Sequence, residues 1–235
     1  DRKTVMRQRW RDLLFLHWRV PPEDLEPHLP PSLGIDTFDG TAWVGLVPFR
    51  MERVRLRGLP PIPGLSRFPE LNLRTYVTDR LGRPGVWFFS LEAGSRLAVF
   101  GGRNVFHLNY RRARMRVETE SGGKISYRSR RASRGEPTQD FAWELPSGGL
   151  RTAETGSLEE FLLERYRLFA WRHRSQRLFS GEVSHEPYRF APAKVLRYST
   201  RLFALNGLAE PSTPPSSALA APGFPVEIHP LRPMP

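Results

Sequence analysis

The densest set of chemically capable side chains lies between residues 103 and 111. Arg103, Asn104, His107, Asn109, Tyr110 and Arg111 are separated there only by Val105, Phe106 and Leu108. Cations, an imidazole and a phenol in so short a stretch suit an acidic ligand. Guanidiniums neutralise it, and the phenol or imidazole exchanges a proton. A neighbouring cation favours phenolate, so Tyr110 beside Arg111 is a candidate acid or anion contact. The alternative is a strand tyrosine whose hydroxyl sits in a core hydrogen bond. Glu70 is the second candidate. It follows a proline-rich loop and opens an alternating strand whose polar face also carries Asn72 and Arg74. Two readings stand for it: a pocket acid, or a Glu70–Arg74 pair at a sheet rim.

These side chains need a frame, and residues 85–117 (GVWFFSLEAGSRLAVFGGRNVFHLNYRRARMRV) predict one. A buried strand at Val86–Leu91, a short helix over about Ala93–Phe106 and a long strand from near Leu108 follow from the apolar pattern. They press the hinge Phe106–Arg111 against the sheet interior, where a small-molecule pocket is expected. Around this centre the chain reads mostly as strands. Trp10–Val20 is a core strand stopped by Pro21-Pro22, and PEDLEPHL is a short helix with Pro and acids in its first turn. Ile35–Phe38 and Thr41–Met51 flank an Asp39-Gly40 turn, Gly58–Pro69 is a loop, and Glu70–Thr78 alternates.

Downstream, Asn109–Glu118 and Lys124–Ser133 form a hairpin about Ser121-Gly122-Gly123, and Phe141–Leu145 adds a short strand. Ser157 and Glu160 fit a capping box, and Leu158, Phe161, Leu162, Arg165 and Phe169 follow at helical spacing. This predicts a helix over Leu158–Trp171. Strands resume at Gln176–Ser184 and Ala193–Leu205. From Ala209 onward Pro, Ser and Ala predict a loosely held tail. The expected organisation is one domain over residues 1–207 with a tail over 208–235. Its fold class is mainly β with a few helices, an antiparallel closed or partly closed barrel.

Composition narrows the function. With 235 residues, 39% of them hydrophobic, the chain can fill a sizeable core. No apolar run reaches the length of a membrane span, and DRKTVMRQRW lacks the apolar stretch of a signal peptide, so a cytoplasmic protein is expected. The absence of cysteine excludes disulfides, thiol nucleophiles and thiolate metal sites. The six histidines are scattered, without HxH or HExxH, so no metal is expected. The P-loop, GxGxxG and GxSxG patterns are absent, and no cofactor is expected. The net charge of +12 raises a nucleic-acid alternative. However, the cations are spread along the chain, and the densest run, Arg111–Arg134, lies on a hairpin that puts many of them in solvent.

Several stretches together resemble the bacterial YqjF-like family of unknown function, within the acetoacetate decarboxylase-like superfamily. They are WRDLLFLHWRVPPEDLEPHLPPSLGID, DGTAWVGLVPFRM, GLPPIPGLSRFPELNLRTYV, GRPGVWFFSLEAGSRLAV and the R-x-x-F-x-L-x-Y-x-x-A-R-M run. The superfamily implies a mostly antiparallel barrel or cone around an apolar cavity, and oligomers in some members. In the decarboxylase a lysine, made nucleophilic by a second lysine, forms a Schiff base with a β-keto acid. Gly102-Arg103 matches the decarboxylase Gly-Arg, but Tyr110-Arg111 stands where both lysines would be. Arg11 and Glu70 fall where the family has an arginine and a glutamate, and Val44 where it has a second glutamate. Neither a phenol nor an arginine forms an imine, and Lys194 is the only lysine well inside the domain.

The reading is therefore a barrel that binds, with catalysis left open, a small apolar carboxylic or carbonyl compound without the Schiff-base lysine. Any chemistry would be lyase-like or another small-acid reaction. Tyr110 and Glu70 handle protons, Arg11 and Arg111 neutralise the acid, and Arg103 and His107 complete the polar lining. Trp18, Trp43, Trp87 and Phe89 supply the walls. The alternative is a nucleic-acid-binding or protein-interaction module built on the Arg111–Arg134 hairpin. A homo-oligomer is compatible with either, and no membrane partner is expected.

Overall fold

The computed structural model describes residues 3–60 and 64–234. In chain order the elements begin with β1 (Met6–Val20), α1 (Pro22–Leu25), β2 (Leu33–Ile35), β3 (Ala42–Leu56), β4 (Arg67–Asp79) and β5 (Pro84–Ala93). Then come α2 (Arg96–Asn104), β6 (Tyr110–Thr119), β7 (Lys124–Arg131), β8 (Gln139–Glu144) and α3 (Leu158–Leu163). The last are β9 (Arg167–Arg172), β10 (Arg177–Ser184), β11 (Ala191–Pro192), β12 (Lys194–Arg197), β13 (Ser217–Ile228) and β14 (Arg232–Pro233).

The fold is mainly β. Pairings run β5-β9-β10-β13-β1-β3-β4, and β4 pairs with β5 again, so the strands close on themselves. A second layer, β6-β7-β8-β12, branches from the far end of β5. β1 alternates as a strand should, but both of its faces are buried. Leu13 and Phe15 belong to one core cluster with Val47, Phe49 and Tyr110. Leu14, Leu16 and Trp18 belong to another with Tyr127, Phe141 and Trp143 of the second layer. A wall covered on both sides by apolar contacts explains the near-continuous run DLLFLHW.

Four expectations are corrected. The sheet is mixed rather than purely antiparallel, because β5 pairs parallel with both β6 and β9. The helix expected over Leu158–Trp171 stops at Leu163. Its cap forms, with Ser157 Oγ accepting from the Glu160 amide at 3.2 Å. The following residues are taken into β9 by ladders from β5 on one side and β10 on the other. A short apolar run satisfies both periods, and pairing on two edges decides between them.

The strand expected over Ala193–Leu205 shortens to β12, and Ala204–Asn206 is a 3-10 turn. The tail is the largest correction. Ser217–Ile228 forms β13, paired with β1 from Met6↔Ile228 to His17↔Ser217. Its small residues fit a tight approach: Ala220 and Ala221 are fully buried. A Cβ at Gly223 would stand 2.1 Å from the Trp10 carbonyl oxygen. Among smaller differences, the strand expected at Ile35–Phe38 ends at Ile35. The loop expected over Gly58–Pro69 gives way to β4 at Arg67, and its residues 61–63 lie outside the described residues.

Candidate functional site: a cationic cleft in the fork of β5

β5 has two parallel neighbours on one edge. β9 pairs with Val86 and Trp87, and β6 pairs with Leu91–Ala93. Residues 88–90 lie between the two. The hinge fills that gap: the Leu91 amide donates to the Asn109 carbonyl at 3.1 Å, and Asn109 Nδ2 donates to the Phe89 carbonyl. In this fork opens a cleft of about 530 Å³. Its volume is typical of small-molecule sites, which favour places where neighbouring strands diverge.

The cleft has two walls and a floor. α2 and the hinge contribute Arg103, His107 and Arg111. The end of β9 and the turn after it contribute Trp171, Arg172, His173 and Arg174. Trp87 and Phe88 of β5, along whose edge both walls are attached, also line it. Among the described residues, no aspartate, glutamate or lysine lines it.

The positive charge is only partly compensated. The register partner of Arg111 on β5 is Glu92. That carboxylate is held by Arg131, whose Nε and terminal nitrogen donate to one Glu92 oxygen at 2.9 and 2.8 Å. Burial and repulsion from Arg131 and Arg103 lower the pKa of the Arg111 guanidinium, while the Glu92 charge pulls it the other way. Arg103 is positioned by donating from Nε to the Tyr110 carbonyl at 2.6 Å. His107 has a positive φ of 51°, a region a non-glycine residue enters at a cost. Burial, together with the Arg172 charge, lowers its imidazole below the ordinary value, while a hydrogen bond to the Arg103 backbone pulls the other way.

Tyr110 points away from the cleft, since successive strand residues face opposite sides. Its hydroxyl donates to Glu70 Oε2 at 2.9 Å in the interior. Burial raises the Glu70 carboxyl to about 7, against hydrogen bonds from Tyr110 and Asn72. Burial and the Glu70 charge push the Tyr110 phenol well above its ordinary value. Of the two readings of Tyr110, the structure shows the core hydrogen bond: Arg111 lies across the strand, and the group facing Tyr110 is an acid. α2 seats on this ring through Gly102, where a Cβ would come within 2.1 Å of Tyr110 Cδ2.

The Glu70–Arg74 pair does not form either. Arg74 donates to the Leu162 carbonyl at 3.1 Å, which also accepts from the Tyr76 hydroxyl at 2.8 Å. His17 Nε2 joins that hydroxyl at 2.7 Å. Arg74, Tyr76 and His17 thus tie the end of α3 to the barrel interior.

Of the sequence candidates, the cleft gathers Arg103, His107, Arg111 and Trp87. Glu70 and Tyr110 lie behind it. Arg11 is elsewhere, half exposed and 3.8 Å from Glu52. Trp18 is fully buried, its Nε1 donating to the Thr213 carbonyl at 3.0 Å, and Trp43 and Phe89 are core residues. Lys194 pairs with Glu144 at 2.8 Å on the β12 edge, and Lys124 with Glu120 at 2.9 Å. Sequence reasoning missed the wall at 171–174. The run Trp171-Arg172-His173-Arg174 was the available signal, hidden by the helix assigned across its start. No group of three or more histidines and carboxylates suited to a metal occurs among the described residues.

Solved structures of like fold include acetoacetate decarboxylases. The acetoacetate decarboxylase of Legionella pneumophila superposes with a TM-score of 0.68 at 12% identity, over 98% of this chain and 87% of that one. An acetoacetate decarboxylase-like enzyme from Sphingomonas wittichii RW1 gives 0.66 at 13% identity, over 99% and 94%. The enduracididine biosynthesis enzyme MppR complexed with pyruvate gives 0.64 at 13%, over 98% and 91%. The chain belongs to the family DUF2071, described as an uncharacterized conserved protein, which matches residues 7–225. It is 41% identical to the uncharacterized protein YqjF of Bacillus subtilis (strain 168) over 211 residues, 90% of this chain and 85% of that one. Among the described residues no helix is long and apolar enough to cross a membrane.

Proposed function

We propose that this protein binds a small carboxylic or carbonyl compound noncovalently in the β5 fork. Arg103, Arg111 and His107 receive its acid group, and Trp87 contacts its apolar part. One observation carries the reading: Arg111 faces a cleft without a lining carboxylate, while one oxygen of its register partner, Glu92, is held by Arg131. A bound carboxylate supplies the missing charge through charge-assisted hydrogen bonds. The absence of a lining lysine supports a noncovalent mode, since imine formation needs an amine. MppR, solved with pyruvate, is a protein of like fold that holds a small acid. Glu70 and Tyr110 act as positioning residues, locking β6 to β4 behind the hinge.

The test is a thermal-shift screen with small keto, hydroxy and unsaturated carboxylic acids, with borohydride added to a parallel set. The expected result is a ligand-dependent rise in Tm, without a covalent adduct, that Arg111→Gln abolishes. An adduct, silence across the panel, or an unchanged rise in Arg111→Gln overturns the reading.

A second reading has its own observation. Arg114 sits directly opposite Arg130 across the β6–β7 ladder, and Arg116 opposite Arg128, although like charges in register are unfavourable. Such a ladder fits a phosphate backbone, and it predicts oligonucleotide binding that weakens steeply with salt. No binding at low salt ends it.

A further inference from the structure

Resting on the reading of the cleft as an acid site, we infer that its ligand carries two acidic groups joined by an apolar middle. The cations come in two sets on separate elements. Arg103 and Arg111 stand on the α2–β6 side, while Arg172 and Arg174 stand on the β9 side. β5, along one edge of which both β6 and β9 pair, lines the same cleft with Trp87 and Phe88. One carboxylate occupies the fork of a single guanidinium, or bridges two, and so answers one wall only. Four guanidiniums without an acid among the lining residues leave a second wall of positive charge that a monoacid does not reach.

Size agrees. A cleft of about 530 Å³ has room for a ligand that spans both walls over the aromatic floor. The walls also feel each other, because the Arg172 charge acts on His107 of the opposite wall. A ligand that places one acidic group against each wall relieves repulsion on both sides at once. The chemical class is a compact dicarboxylic acid with a hydrocarbon or aromatic centre.

The experiment compares matched pairs of probes by calorimetric titration of the whole chain at about 0.15 M salt, where unspecific attraction is screened. Benzoate is paired with isophthalate, and butyrate with glutarate. The diacid of each pair is expected to bind roughly tenfold tighter or more, the worth of one added charge-assisted contact. In the double variant Arg172→Gln/Arg174→Gln, with its fold checked by near-UV circular dichroism, that preference should collapse towards one. Equal affinity for monoacid and diacid overturns the inference and leaves the acid-binding function standing. A diacid preference that survives the double variant overturns it too, because the second wall is then not its source. If neither class of probe binds, both the function and the inference fail.

Discussion

The Tyr110 hydroxyl donates to the Glu70 carboxyl across 2.9 Å, joining β6 to β4 where both side chains are buried. This places a proton-binding group in the core. Above the ordinary carboxyl value of 4.5 the unfolded chain has released that proton, while the folded chain keeps it up to about 7. The folded state binds more protons over that interval, so stability falls as pH rises through it. Between about pH 4.5 and 8 the native protein should lose roughly 3 kcal/mol relative to Glu70→Gln. Urea denaturation of both proteins across this range checks it, and parallel curves refute it.

His107 predicts a proton uptake on binding. Burial and Arg172 hold its imidazole below 6.5 in the free protein, and a bound anion favours the charged ring. Affinity for benzoate should therefore rise as pH falls below 6.5. Asparagine tolerates a positive φ, so His107→Asn keeps the backbone while flattening that dependence. Titrations between about pH 5 and pH 8 read it directly.

Arg131 guards both the fold and the cleft. Its side chain is 12% exposed and that of Glu92 1%, so removing the cation leaves a buried carboxylate without its partner. Arg131→Gln should destabilise the protein by roughly 3–5 kcal/mol, and adding Glu92→Gln should recover most of it. In the single variant Glu92 becomes available to Arg111, its register partner, and ligand affinity should drop. A single variant as stable as the parent contradicts this account.

The C-terminal segment is predicted to be indispensable. β13 lies between β1 and β10, so a chain ending at Gly207 exposes two unpaired edges, one of them the stretch of β1 that Ala220 and Ala221 cover. It should lack a cooperative thermal transition. A sharp melt of the truncated chain, monitored by circular dichroism, is the contrary result.

Much of this protein was legible in its residues. Alternation and turn chemistry located β1, β3, β4, β5 and the β6–β7 hairpin, and the polar run from Arg103 to Arg111 marked one wall of the cleft. The absence of cysteine was likewise visible without coordinates. Local pattern sufficed because each of these features depends on neighbours within a few residues.

Tertiary structure decided the rest. Whether Tyr166–Trp171 continues a helix or becomes a strand depends on the edges of β5 and β10, which lie far away in sequence. That choice brings Arg172 and Arg174 to the second wall of the cleft. β13 owes its order to β1, a partner 200 or more residues away in sequence, rather than to its own alanines and prolines. The side of β6 on which Tyr110 and Arg111 fall was fixed by the pleat once Glu70 and Gly102 took one face. Propensity acts over a turn or a pair of residues, whereas these outcomes rest on contacts that exist only after the sheet has closed.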